Sequence, residues 1–316
     1  MLTTCPLPWL RFSPVVKTRT NHIPLRPSPG FHRKIAFASI IHTMTQHIVR
    51  TELTIGDSAV EVIGSPGISE LDLRKAVESN VFHQWVTNLM GPQGILTPAA
   101  DGGASCSLKK VTIQSVDMFG QRVGFLKFKA EITDDATGKH IPGIVFARGA
   151  AVAVLMLLEC NQETYAVLTE QARVPVGRVL LELPAGMLSD DAGDFVGTAA
   201  QEVEEEIGIH IKSSDLVNLT DFLHPSTGQQ IFPSPGGCDE GIKLMLYRCH
   251  VKQEVIDSLK GKQTGLREDG EFIKVHVVPY KSLWRSTTDA KALAAISLYE
   301  MGKREGLLEE CPNISD

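Results

Sequence analysis

LLELPAGMLSDDAGDFVGTAAQEVEEEIGI, residues 180–209, joins an apolar run to an acid-rich one through a glycine-bearing turn. A Gly-rich, acid-bearing turn leads from an apolar strand into a short helix that carries Glu202, Glu204, Glu205 and Glu206. Val196, Ala199, Ala200, Val203 and Ile207 recur at helical spacing and give that helix its apolar face. Gly208 followed by Ile209 reads as a stop, with glycine in the left-handed conformation just past the last turn. The carboxylates therefore fall in the last two turns, where the macrodipole is negative and anions are disfavoured. No Lys or Arg stands three or four residues away to pair with them. Such a cluster needs a neutralising cation.

Geometry selects the acids that share it. Glu202 and Glu206 are spaced i,i+4, and Glu202 and Glu205 i,i+3, so these three project from neighbouring faces, while Glu204 points away into solvent. Hard divalent cations take carboxylate oxygens, and Mg²⁺ favours few protein ligands plus substrate phosphates. A Glu run is more often a solvated face. Here the preceding apolar strand, the Gly turn and the missing basic partners favour a Mg²⁺ platform, with Mn²⁺ as a substitute, for a phosphate-bearing substrate.

The stretch resembles the Nudix box, G-x5-E-x7-R-E-U-x-E-E-x-G-U, where U is a bulky apolar residue. Glu202-Val203-x-Glu205-Glu206-x-Gly208-Ile209 matches its second half, and Gly186 matches its opening glycine. The departures are local. Gln201 stands where the family has the Arg that helps orient the glutamates. Gly186 lies one residue too far upstream, and no Glu fills the middle acidic position, for which Asp194 is the nearest substitute and Asp191 a second.

The ends and the charge bound the remainder. With 316 residues there is ample length for a buried core and one to three domains. No apolar run is long enough to span a bilayer. The first fifty residues hold seven Lys or Arg and no Asp or Glu, and are rich in Ser, Thr and Pro. That is the profile of an organelle transit peptide, and its Pro-broken character favours a chloroplast address over a mitochondrial one. Removing that +7 segment from a chain of net charge −6 leaves −13. Such an acidic protein argues against nucleic acid or an anionic membrane as the main partner. The six cysteines form no C-x-x-C pair, which leaves a zinc site unsupported and reads as reduced thiols; a redox role for Cys238 or Cys311 is the less probable alternative.

From Thr51 the pattern predicts one or two strands in ELTIGDSAVEVIG and an amphipathic helix over Ser69–Met90 opened by a Ser-x-x-Asp cap. A Gly/Pro/Ala/Ser-rich loop fills 91–107. Strands follow at 110–118, 123–133, 143–148, 151–159 and 164–171. After the box come strands at 216–223, 242–251 and 272–279, a helix at 254–260, and a closing helix at 287–304 with Ala292, Ala295, Ile296 and Tyr299 on one face. The long loop HPSTGQQIFPSPGGCDEG, 224–241, is of the kind that carries function. The sum is an α/β protein: a mixed sheet clasped between helices in an α/β/α sandwich, plus a small N-terminal α+β region. The expected divisions are 1–50, 51–142 and 143–310.

Three further blocks extend the resemblance to ADP-ribose and ADP-sugar pyrophosphatases over roughly 145–300. EQARVPVGRVLLELPAGML (170–188) is similar to their E/Q-x-R-x-P-x-G…E-x-P-A-G run, SPGGCDEG (234–241) to their S-P-G-G-x-x-E loop, and EDGEFIKVHVVP (268–279) to their acidic loop and V-H-V-V strand. The resemblance implies that Glu202, Glu205, Glu206 and the carbonyl of Ala185 hold the metal. Glu205 and Glu206 then also take part in catalysis, with Asp269 or Glu271 as general base. A planar guanidinium suits bidentate phosphate contact, so Arg173 leads the substrate-binding residues. Glu182 orients its neighbours, binds substrate, or is structural. Gly236 and Gly237 let backbone amides approach an anion, and Glu240 points into the site. His276 reads as a core or sheet-face residue.

The activity so implied is Mg²⁺-dependent cleavage of an ADP-sugar, ADP-glucose or ADP-ribose, to AMP and a sugar phosphate by a homodimer whose N-terminal sheet is exchanged between subunits. In a plastid, ADP-glucose would be the substrate at hand, since it feeds starch synthesis. Two other readings stay open. One is a Nudix hydrolase of NADH, FAD or coenzyme A. The other is a catalytically degenerate Nudix module that binds a nucleotide sugar.

Overall fold

The structure is a computed structural model describing residues 48–55, 58–97, 106–188, 194–265 and 272–309. All of these lie in one compact unit, Gln46–Asp316. The basic leader expected over 1–50 falls almost wholly outside the described residues, as do Cys5 and Cys311. Among the described residues no helix is long and apolar enough to cross a membrane.

Two sheets organise the unit. The first is built from β1 (Arg50–Ile55), β2 (Ser58–Gly64), β3 (Cys106–Phe119), β4 (Arg122–Asp134), β5 (His140–Ile141) and β6 (Ile144–Ala147), ordered β1-β2-β3-β4-β5 with β6 also on β4. Strands β2 and β3 are parallel. That pairing requires a crossover, and α1 (Glu70–Val77) and α2 (Asn80–Met90) lie within it. The sequence pattern predicts one helix here, and the structure breaks it. Ser79 donates to Ala76 O (2.6 Å) and accepts from Phe82 N (3.3 Å), ending the first helix and capping the second. A serine hydroxyl bonded to nearby backbone offers an alternative to continuing the helix. The Ser69–Asp72 capping box forms as its spacing predicts. Phe82 and Trp85 meet Phe128 edge-on at 5.8 and 4.7 Å between centroids, at the centre of this core.

The second sheet begins at β7 (Ala151–Cys160) and continues with β8 (Glu163–Arg173), β9 (Arg178–Glu182), β10 (Ala185–Met187), β11 (Leu216–Asn218), β12 (Ile242–His250), β13 (Gln263–Thr264) and β14 (Ile273–Pro279). Its order is β11-β12-β7-β8-β14-β13, with β10 also on β7 and β9 on β8. Strand β12 runs parallel to β7 while the remaining pairs are antiparallel, so the sheet is mixed. The β7 sequence AVAVLMLLEC is apolar without alternation because both its faces are covered. On one side Val152, Val154 and Met156 pack against α3 (Phe195–Ile207) and α4 (Gln253–Leu259). On the other Ala153, Leu155 and Leu157 pack against α5 (Tyr280–Ser286) and α6 (Ala290–Arg304). This is the α/β/α sandwich.

Three elements differ from expectation. The strand expected over 216–223 stops at Asn218, whose side chain accepts from Thr220 N (3.0 Å) and starts a 3₁₀ turn, Leu219–Phe222. The closing helix begins at Ala290, not 287, because Asp289 caps it through Lys291 N (3.0 Å) and Thr287 is extended. Helix α5 had no strong periodic signal in so short a segment. The 224–241 loop is fastened to the connection between the sheets. Phe146 N donates to Gly237 O (2.8 Å) and Ala151 N to Gly241 O (3.0 Å), and Asp239 Oδ1 accepts from Arg148 N (2.8 Å).

Helix α3 ends as its sequence requires. Gly208 adopts φ +74° and its N–H closes on Val203 O and Glu204 O. Lys262 Nζ then reaches Ile207 O (3.1 Å), and Thr264 Oγ1 donates to Glu206 O. A cation and a hydroxyl from outside the helix so satisfy carbonyls that would otherwise be orphaned at its negative end. Gly208→Ala is expected to cost roughly 1–2 kcal/mol, the penalty of a side chain in the left-handed region. An added Cβ would also lie 2.5 Å from Lys262 Nζ. Urea unfolding checks this: the midpoint falls with the slope unchanged, and an unchanged midpoint contradicts it.

Candidate active site

The site forms where β10 passes over the C-terminal half of α3. Glu206 is the most enclosed acid of the cluster, 6 % exposed. Gln171 Nε2 donates to its Oε1 at 2.7 Å, and Ala185 N to its Oε2 at 3.2 Å. Burial pushes its carboxyl up to about 8, and the neighbouring Glu202 adds to the shift; Gln171, Ala185 N and Arg173 oppose it. Two donors and a nearby guanidinium therefore leave the site short of positive charge. A cation would supply it.

Glu202 lies against the backbone of Gly186. A Cβ at Gly186 would stand 1.6 Å from Glu202 Oε1 and 1.9 Å from its Cδ. The glycine is thus required for a carboxylate to lie across β10, with no left-handed backbone involved. Glu205 is turned toward Gln201, whose Nε2 donates to Oε1 at 2.8 Å. Glu204 points outward as predicted and meets His210 Nδ1 at 3.1 Å. The structure therefore brings Glu202 and Glu206 together under β10 and places Glu205 beside Gln201.

Among the described residues no three His, Cys, Asp or Glu side chains converge as a ready-made metal-ligand set. The pair Glu202/Glu206 nonetheless fits a hard divalent cation of the Mg²⁺ kind, which takes one or two carboxylates and fills its other positions with water and phosphate oxygens. The crowding of two acids that burial penalises is the observation behind this fit. Asp194, the nearest substitute for the missing middle acid, is engaged elsewhere: its Oδ1 accepts from Gly197 N at 2.8 Å and caps α3.

Arg173 stands at the end of β8 on the same strand face as Gln171, two residues away. Its Nε meets Glu182 Oε1 at 2.6 Å and its Nη2 meets Oε2 at 3.3 Å. Glu182 is buried, 5 % exposed, and accepts both of these hydrogen bonds. Burial alone would raise the Glu182 carboxyl, but Arg173 and Lys291 outweigh it and hold it below the usual carboxylate range. Gly236 and Gly237 sit in a turn with open space where a Cβ would be. Glu240 Oε1 is 3.4 Å from Arg148 Nε. His276 lies beside Glu170 at 3.0 Å on the sheet, in keeping with a sheet-face residue. Cys238 is half-buried and its thiol is pushed up by burial. Asp269 and Glu271, the expected base, lie outside the described residues, as do Asp191 and Glu268.

Four residues of the site carried no role in the sequence. Gln171 could have been found from its two-residue spacing to Arg173. Lys262, Thr264 and Lys291 come from distant segments, and no local pattern announces them.

The NUDIX domain family matches residues 147–298. The chain is 63% identical over 249 residues to Nudix hydrolase 14, chloroplastic, of Arabidopsis thaliana, covering 79% of each chain. It is 29% identical over 195 residues to an ADP-ribose pyrophosphatase of Haemophilus influenzae, covering 56% of this chain and 80% of that one. It is 28% identical over 200 residues to an ADP-ribose pyrophosphatase of Bacillus subtilis, covering 62% and 95%.

The contact between Gly186 and Glu202 yields a sharp expectation. In Gly186→Ala the methyl displaces the flexible carboxylate, so affinity for Mn²⁺, read by electron paramagnetic resonance of the free ion, drops about tenfold or more. Thermal stability without metal changes little. Unaltered Mn²⁺ affinity would refute the placement of Glu202 in the metal pocket.

Proposed function

Because this chain belongs to the Nudix hydrolase family, we propose that it hydrolyses the pyrophosphate bridge of ADP-sugars, ADP-ribose and ADP-glucose, to AMP and a sugar phosphate. The observation that carries this reading is the anionic pocket of Glu202 and Glu206 beneath β10, with the Arg173 guanidinium close enough to lower the Glu206 carboxyl. A pyrophosphate needs both features. Its oxygens repel a nucleophile until cations neutralise them, and a planar guanidinium then fixes its orientation.

Nudix hydrolases generally use divalent metal ions. Here Glu202, Glu206 and the Ala185 carbonyl would hold one, with Glu205 as a further carboxylate, and Mg²⁺ is the ion this oxygen set suits. Such an ion, when bound, neutralises phosphate oxygens and lowers the pKa of its water. The protein's own groups do the remainder. Gln171 and Ala185 N fix Glu206, and Arg173 takes the phosphate. A general base must reach the attacking water. We assign that role to Asp269 or Glu271, as the resemblance to ADP-sugar pyrophosphatases implies. The loop of Gly236, Gly237 and Glu240 is proposed to meet the substrate, with Gly237 N–H turned to Ser234 O before it binds.

The names of the Haemophilus influenzae and Bacillus subtilis relatives support ADP-ribose as a substrate. The chloroplastic name of the Arabidopsis thaliana relative supports a plastid address for the basic leader, and there ADP-glucose is the substrate at hand. The N-terminal sheet is proposed to join two copies into a homodimer.

The test is turnover of ADP-ribose and ADP-glucose with Mg²⁺, with products identified by mass spectrometry. Wild-type chain is expected to release AMP and sugar phosphate. Glu206→Gln is expected to lose on the order of 100-fold or more in kcat, since even partners one shell beyond a metal ligand cost 10–100-fold. Its circular dichroism should match wild type. Stabilisation by ADP-ribose with no AMP released would mean a binding module instead.

A further inference from the structure

Four charged side chains outside the metal pocket pack together where the C-terminal helix meets β9. Lys291, in the first turn of α6, places Nζ 2.9 Å from Glu182 Oε2 and 3.0 Å from Asp289 Oδ1. Asp289 accepts from Leu183 N (3.1 Å) with its other oxygen, so the acid ties α6 to the chain leaving β9. Glu182 also carries both hydrogen bonds from Arg173. The side chains of Glu182, Asp289 and Lys291 are only 7, 4 and 16% exposed, against 39% for Arg173. Two acids and two bases are enclosed with no net charge.

The exposures divide the labour. Arg173 has five N–H donors in a rigid plane. With Nε and Nη2 turned to Glu182, the Nη1 edge is directed away, where a phosphate can take two of its hydrogens. A phosphate there pulls the guanidinium outward. Glu182 is buried and would be stranded if Arg173 were its one counterion, and stranding a buried charge is costly. Lys291 is the second counterion, and its partners among the described residues, Glu182 and Asp289, are both buried. Burial alone would lower the Lys291 ammonium, but Asp289 and Glu182 outweigh it, and it stays charged.

We propose that Lys291 is a positioning residue for substrate binding: by holding Glu182 in place and neutralised, it lets Arg173 present its free edge to the pyrophosphate. This rests on the reading that Arg173 contacts the pyrophosphate of an ADP-sugar.

Steady-state kinetics of the full chain with ADP-ribose and Mg²⁺ test it as a double-mutant cycle. Lys291→Met is expected to raise KM about tenfold with kcat within about threefold. Lys291→Arg, which keeps the cation, stays within about threefold of wild type in both. Because Lys291 acts through Glu182, adding Lys291→Met to Glu182→Gln changes KM less than about twofold beyond Glu182→Gln alone. A merely structural lysine would give the same KM effect in both backgrounds, and that additive result overturns the proposal. So does an unchanged KM in folded Lys291→Met. Should Lys291→Met fail to fold, the double variant, which removes the Glu182 charge along with the lysine and leaves Asp289 its donors at Leu183 N and the backbone N of residue 291, is compared with Glu182→Gln by the same twofold criterion. Wild-type chain that releases no AMP overturns the functional reading and this inference together. Wild-type turnover with Lys291→Met unaffected overturns this inference alone.

Discussion

The meeting of Glu202 and Glu206 beneath β10 is the constraint on which the architecture of the site depends. Two carboxyls are forced together near the negative end of a helix, one of them almost fully enclosed. Neither the macrodipole nor the helix's own sequence favours this. The surrounding fold makes it possible. Gly186 removes the side chain that would occupy the Glu202 carboxylate's place. Gln171 and Ala185 N supply Glu206 with donors. Gly208, Lys262 and Thr264 satisfy the helix end that the acids crowd. Beyond α3 and its Gly208 stop, these contacts come from β8, β10 and the chain at β13, and the mixed sheet brings them together.

The second charged cluster obeys the opposite logic. At Arg173, Glu182, Lys291 and Asp289 each acid has a basic partner within hydrogen-bond distance, and the group is electrically closed. Glu206, by contrast, is held by the Gln171 amide and Ala185 N, and burial still keeps its carboxyl raised. The coupling between them is Arg173, which pairs with Glu182 and still lowers the Glu206 carboxyl.

Much of this was legible in the sequence because its signals were local. The apolar face of α3, the stop at Gly208 and the outward turn of Glu204 all follow from spacing within a single segment. The break at Ser79 was missed because helical periodicity runs through it, while a hydroxyl bonded to the preceding turn ends the helix. Helix α5 was missed because seven residues offer too few turns to show a period. In the site, the acids were legible and their supports were not. Lys291 and Lys262 act across long stretches of chain, and tertiary partners of that kind leave no trace in local pattern. Asp194 illustrates the converse: an acid near the expected position proved to be a helix cap.

If the crowded carboxylates hold a divalent cation, the folded chain binds it even without substrate. Thermal unfolding without substrate, in chelator and then in excess Mg²⁺, addresses it without recourse to turnover. A ligand that binds the folded state alone raises the midpoint by mass action. The account predicts a clear rise for wild type and its loss in Glu206→Gln. An equal rise in both chains would contradict it.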